Sequence, residues 1–174
     1  LWSAYLILQS ALPELSFDGF VRLESLIIDV SQVFEAFLRR ELAVRLAPHG
    51  YRVRDGNNSS SPFFIDGGGY SVHPDMIICQ DDNIVAVLDA KYKPEPKETD
   101  RYEVLSFMDA MPVTLGGFVC PADGIDTSRY LGTTASGKEM VLLRYDLAAS
   151  DQDAEADRFA NNVLRMINGN HEYS

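Results

Sequence analysis

The residues of this chain best suited to chemistry are Asp75, Asp89 and Lys91. Asp75 follows Pro74, and thirteen residues later comes Asp89-Ala90-Lys91. Side chains alternate along a strand, so Asp89 and Lys91 share a face while Ala90 points the other way. The β-rich runs MIIC at 76–79 and IVAVLDA at 84–90 lie between the two aspartates, joined by turn chemistry in QDDN at 80–83. If Asp81, Asp82 and Asn83 form a three-residue loop, Asp75 stands directly opposite Asp89, with Cβ atoms about 4.5–5.5 Å apart. A two-residue loop shifts that register by one. Two carboxylates this close repel each other when ionised unless something positive lies between them. A hard divalent cation is the natural occupant: Mg²⁺, or Mn²⁺ in its place, held by carboxylate oxygens and a backbone carbonyl. Lys91 beside it suits orienting or deprotonating an attacking water, or offsetting charge on a phosphate. The competing reading is a turn aspartate and a solvent-exposed Asp89–Lys91 pair. Against it, IVAVLDA is apolar almost to its end, and charges that emerge together from a buried strand tend to line a cleft.

The elements that must position these residues are legible from period and punctuation. The first 15 or so residues read as a helix ending near Pro13. A stronger helix is predicted over 29–46, with Val30, Val33, Phe34, Phe37, Leu38 and Leu42 on one face and Gly50 past its end. A short strand at 51–54, the polar loop DGNNSSS and a run of strands to Pro94 follow. Gly67-Gly68-Gly69 lacks the G-K-[ST] ending of a phosphate loop and reads as a flexible turn. Thr99 or Asp100 could cap a helix running to about 111. Two strands at 113–120 and 139–146 and a closing amphipathic helix over 154–168, with Phe159, Val163, Leu164 and Ile167 on one side, complete an α/β or α+β domain.

At 174 residues, 46% hydrophobic and 24% charged, the chain suits one soluble domain with a sizeable core. No apolar run reaches the roughly 18 residues that span a bilayer, and the apolar opening lacks the charged n-region of a signal peptide. The chain begins at Leu1, as a piece of a longer protein would. Cys79 and Cys120 end strand-like runs without a C-x-x-C, which speaks for two buried free thiols and a reducing cytoplasm. The net charge of −11 sits uneasily with DNA, which is gripped through phosphate contacts. A bound metal would cancel part of it, and Arg39, Arg40, Arg45, Arg52 and Arg54 form a basic group apart from the acidic run DQDAEAD at 151–157.

PD(13)DAK resembles the PD-(D/E)xK nuclease signature. The ordered set VFEAFLRREL, PDMIIC, VLDAKYKP, DRYEVLSFMDAM, GGFVCP and VLLRYDL is similar to the catalytic domain of McrC, the nuclease subunit of McrBC modification-dependent restriction systems. The resemblance runs from about residue 28 to 148. It implies a core of a helix, a three-stranded meander, a helix and a further strand. Residues 1–27 would then be a helical lead-in and 149–174 a C-terminal helix of a single nuclease domain. It also implies Mg²⁺-dependent cleavage of DNA, with Asp75, Asp89 and the Ala90 carbonyl as metal ligands and Lys91 as the catalytic lysine. Glu35 would be the acidic residue beside the metal. The implied partners are a modified DNA duplex and an McrB-like AAA+ GTPase, with cleavage by the isolated chain expected to be poor.

Glu35 lies within the apolar arc of its helix, so it must face either the metal or an arginine. Glu41 has Arg45 four residues on as an ordinary helix partner. McrC-like chains tend to carry D-x-Y-Q after the site, whereas this chain has Asp100-Arg101-Tyr102-Glu103. Tyr102 is retained. An ionised glutamate only accepts hydrogen bonds, so Glu103 reads more simply as surface charge. Lys93, Lys97 and Arg101 are candidate phosphate contacts or a solvated loop. His73 is either near the scissile phosphate or a solvent-facing strand residue. Two other function classes remain: a non-catalytic scaffold of the same fold, which would have lost a ligand or the lysine, and an autonomous repair or recombination nuclease, which would need its own DNA-binding surface.

Overall fold

The computed structural model describes residues 29–58, 61–66, 68–122 and 127–170; the helix expected over the first 15 residues lies outside them. Helix α1, Val30–Leu46, starts where Asp29 Oδ1 accepts hydrogen bonds from the Ser31 and Gln32 amides at 2.9 and 3.4 Å. Phe34, Leu38, Leu42 and Leu46 recur every fourth residue and are buried. Val30 and Val33, expected on the same face, are exposed, because the line that meets the sheet follows the i+4 row and leaves them beside it. A 3₁₀ turn at Ala47–His49 closes on Gly50, whose φ of 81° is the left-handed conformation that suits glycine.

The strands are β1 Tyr51–Asp55, β2 Ser61–Pro62, β3 Ser71–Val72, β4 Met76–Gln80, β5 Asn83–Ala90, β6 Leu115–Pro121, β7 Arg129–Thr133 and β8 Glu139–Tyr145. Helix α2, Glu98–Ala110, joins β5 to β6, and helix α3, Gln152–Ile167, closes the chain. Six strands form one sheet in the order β1-β4-β5-β6-β8-β7, and β2 and β3 form a separate hairpin. β1, β4 and β5 run antiparallel, β6 and β8 add in parallel, and β7 pairs antiparallel at the edge. The chain is thus mixed α/β, with helix, antiparallel trio, helix and parallel strand in the expected order. Strand β7 escaped sequence analysis: it is a short edge strand carrying Gly132 and is nowhere fully buried.

Each face of the sheet holds its own apolar layer. Met76, Ile78, Ala86, Leu88, Val141 and Leu143 meet α1 and α3 on one side. Ile77, Cys79, Val87, Phe118, Cys120 and Leu142 meet α2 on the other. Both cysteines are free and buried, as expected. Burial also holds the Cys120 thiol up at about 11, well out of the reactive range. Among the described residues no helix is long and apolar enough to cross a membrane. Leu38 is fully buried at the centre of the α1 contact. Leu38→Ala should cost about 2–5 kcal/mol of stability in urea unfolding, whereas an exposed position such as Val44 should tolerate alanine with little change.

Candidate active site

The β4–β5 hairpin reaches the register that sets Asp75 against Asp89 by an unexpected route. Gln80 pairs with Asn83, so the loop is the two residues Asp81 and Asp82, not three. Asp81 takes a φ of 52°, which aspartate tolerates better than most residues. The register then shifts between Ile78 and Cys79: Cys79 pairs with Ile84 but Ile78 with Ala86, leaving Val85 as an extra residue. That bulge restores what the shorter loop took away. Met76 pairs with Leu88, and the same register continued by one residue puts Asp75 opposite Asp89. The Ala90 amide donates to Asp75 Oδ2 at 2.8 Å, and the Lys91 amide donates to the Val119 carbonyl at 2.9 Å.

Asp89 is 3% exposed, at the end of a strand that is otherwise apolar on both faces. Burial, and then repulsion from Asp89, push the Asp75 carboxyl up to about 8, although the Ala90 amide and Lys91 pull it down. Burial likewise raises Asp89 to about 6 against the pull of Lys91. Lys91 Nζ lies 2.7 Å from Asp89 Oδ2 and 3.0 Å from Glu103 Oε2. The first contact places a cation directly on the buried Asp89 carboxyl. Burial alone would lower the Lys91 ammonium; its two carboxylate partners outweigh that and hold it well above the ordinary lysine range. Lys91 is therefore a firm cation here, suited to orienting a group or offsetting charge rather than taking a proton.

Glu35, Asp75, Ala90, Lys91, Tyr92 and Lys93 line an open cleft of about 340 Å³. Glu35 Oε1 is bound by Arg39 at 2.7 Å and by the Asn57 amide at 2.8 Å, so of its two expected partners the arginine holds it. It still adds to the negative field on Asp75. Among the described residues no three His, Cys, Asp or Glu side chains converge as a cation cage. What fits a divalent cation is the Asp75–Asp89 pair: carboxyl oxygens side by side, one half-buried and one buried, with Lys91 the cation beside Asp89.

Glu103 is not the idle surface charge expected of it: one turn into α2 it faces back toward the sheet and pairs with Lys91. Lys93 binds Asp100 at 2.5 Å, and Asp100 also accepts from the Lys97 amide at the start of α2. Lys97 itself is exposed. Arg101 and Tyr102 line a separate groove with Leu105 and Leu131, where the Tyr102 hydroxyl donates to Glu98 at 2.7 Å. His73 faces solvent. Of the basic group read as a counterweight to the acidic surface, Arg39, Arg45 and Arg52 are paired with carboxylates, while Arg40 and Arg54 are exposed. Arg39 holds Glu35 and Asp55, Arg52 holds Asp82, and Arg45 binds Glu41 at 2.5 Å and Asp157 at 2.7 Å. Sequence analysis also passed over Arg144. Fully buried on β8, it donates to the Pro94 and Pro121 carbonyls and to Glu95, pinning the segment between Lys91 and α2. A lone arginine in the apolar run VLLRY was its only signal.

Residues 2–109 match the family described as McrBC 5-methylcytosine restriction system component. The chain belongs to this family. The McrC-like resemblance read from the ordered motifs is thereby borne out, over a stretch that holds Asp75, Asp89, Lys91 and Glu103. No curated protein matches the sequence. Among solved structures, the chain is similar to one in the refined half-complex from the tetradecameric assembly of Thermococcus gammatolerans McrB AAA+ hexamers with bound McrC. That match has 19% identity and a TM-score of 0.61, and it covers 80% of this chain and 34% of the other. At this identity the likeness is one of fold, and this chain spans about a third of its neighbour's length.

The raised carboxyls carry a pH signature. Unfolded, Asp75 and Asp89 titrate near the ordinary value of 3.8; folded, they hold their protons to about 8 and about 6. The folded chain therefore binds more protons than the unfolded one above about pH 4, and its stability falls as pH rises toward 8. Asp75→Asn keeps an acceptor for the Ala90 amide and removes the buried charge. It should be more stable than the parent at pH 8 by about 1–3 kcal/mol, with the gap closing toward pH 4 in urea titrations.

Proposed function

We propose that this chain is the nuclease module of an McrC-type subunit: a PD-(D/E)xK endonuclease domain that hydrolyses phosphodiester bonds in DNA with Mg²⁺. The observation that carries the reading is half-buried Asp75 set against buried Asp89, with Lys91 a cation beside Asp89 that lines the same cleft as Asp75. The order of helix, antiparallel trio, helix and parallel strand supports it, as does membership of a restriction-system family.

Asp75 and Asp89 would hold the Mg²⁺, with the Ala90 carbonyl as a third donor and Mn²⁺ as a substitute. The ion supplies Lewis-acid charge stabilisation and lowers the pKa of a bound water. Lys91 would turn from Glu103 toward the phosphate and offset the charge that develops there. Because Asp75 and Asp89 hold protons to unusually high pH, metal binding must displace them, and affinity rises with pH between about 6 and 8. Glu35, on the cleft wall but held by Arg39, would contribute negative field rather than a direct bond.

Grip on the duplex would come from elsewhere. A net charge of −11, with Arg39 and Arg45 committed to carboxylates, leaves little for phosphates. An McrB-like AAA+ GTPase is the partner we assign, since the similar structure is of McrB AAA+ hexamers with bound McrC. The substrate would be a modified duplex, with the modification read outside this domain, and the chain alone should cut slowly.

Calorimetry with Mn²⁺ on the parent, Asp89→Ala and Lys91→Met, followed by cleavage of a methylated plasmid with an AAA+ partner present, tests this. The parent should bind with micromolar-to-millimolar affinity, and Asp89→Ala should lose both binding and cleavage. Lys91→Met should keep the metal and cut at least about 100-fold more slowly. Equal Mn²⁺ binding by parent and Asp89→Ala would sink the reading.

A further inference from the structure

Asp75 precedes β4 and lies outside every strand, so the sheet does not by itself fix its backbone. Three contacts do. Its side chain accepts the Ala90 amide. Its carbonyl accepts from Arg39, over a long 3.4 Å. The preceding carbonyl, that of Pro74, is seated against Gly56: a Cβ there would lie 1.8 Å from the Pro74 oxygen and 2.8 Å from its carbon. Those are backbone atoms, which cannot swing aside as a flexible side chain would. The β1–β4 register pairs Asp55 with Met76, so the next step sets Gly56 beside Asp75.

Arg39 is itself held on two sides, by Glu35 at 2.7 Å and Asp55 at 3.1 Å. The turn after β1 completes the frame. Asn57 donates its side-chain amide to Glu35 at 2.8 Å and its backbone amide to Asp55 at 3.0 Å, and Asn58 donates to Asp55 at 2.9 Å. A planar guanidinium can meet two carboxylates and a carbonyl at fixed angles, which the point charge of a lysine cannot. Resting on the reading of Asp75 as a site carboxylate, we infer that Arg39 and Gly56 are positioning residues for it. The turn at 55–58 is the template against which the Pro74–Asp75 peptide is seated, and Arg39 ties the next peptide, through the Asp75 carbonyl, to α1. Glu35 acts through the strap, which explains an acidic residue beside the site that is nonetheless committed to an arginine.

The Ala90 amide reports the position of Asp75 directly, without metal or DNA. Hydrogen exchange by NMR should compare the parent with Arg39→Met, Arg39→Lys and Gly56→Ala, and with Leu38→Ala as a globally destabilised control. In Arg39→Met and Gly56→Ala the Ala90 amide should exchange about tenfold faster or more, while Val87 and Val119 keep their protection. Arg39→Lys, which retains the charge, should give a smaller rise confined to Ala90 and serves if the methionine variant does not fold. Leu38→Ala should speed all three amides together. Unchanged protection at Ala90, or a loss shared equally by Val87 and Val119, overturns the inference. Absence of cleavage by the parent would bear on the nuclease reading alone.

Discussion

Antiparallel pairing between β4 and β5 sets two carboxyls against each other at the edge of the core, Asp89 buried and Asp75 half-buried. Asp75 and Asp89 are brought opposite each other by a ladder whose other members are almost all buried and apolar. The repulsion and desolvation of the two carboxyls are offset by the hydrophobic layers on either face. This is strain that a domain with a two-faced core can carry. It also makes the pair an acceptor of positive charge, met by Lys91 and by retained protons.

The surrounding elements direct charge into that point and keep it ordered. α1 brings Glu35 and Arg39, the turn after β1 brings Asp55 and Asn57, and α2 brings Glu103 back to Lys91. Arg144 fixes the segment between Lys91 and α2 from beneath, so the helix that presents Glu103 starts at a set place. Nearly every cation near the cleft is thus paired with a carboxylate. This explains how a chain of net charge −11 can hold many arginines and still offer little to a phosphate backbone.

Much of this was legible in the sequence. The spacing from Asp75 to Asp89 and Lys91, the i+4 row of α1 and the apolar strands are local patterns, set by the side-chain periods of strand and helix. They pointed to the mixed α/β class, the hairpin and the residues that the hairpin brings together. The opposed aspartates were foreseen through a three-residue loop, whereas the chain uses two residues and a bulge at Val85. The same pairing follows because the two offsets cancel.

The rest had no local signature. That Glu103 reaches Lys91, that Arg39 spans Glu35 and Asp55, and that Gly56 leaves room for the Pro74 carbonyl are contacts between residues far apart in the chain. Edge strand β7 and buried Arg144 were missed for the same reason: neither has a period, and each is stabilised by neighbours that only the folded sheet supplies. The sequence by itself determined which residues carry the charge and on which faces of which elements they lie. Only the tertiary structure decided which opposite charges meet, because a salt bridge depends on distance in space and not on spacing along the chain.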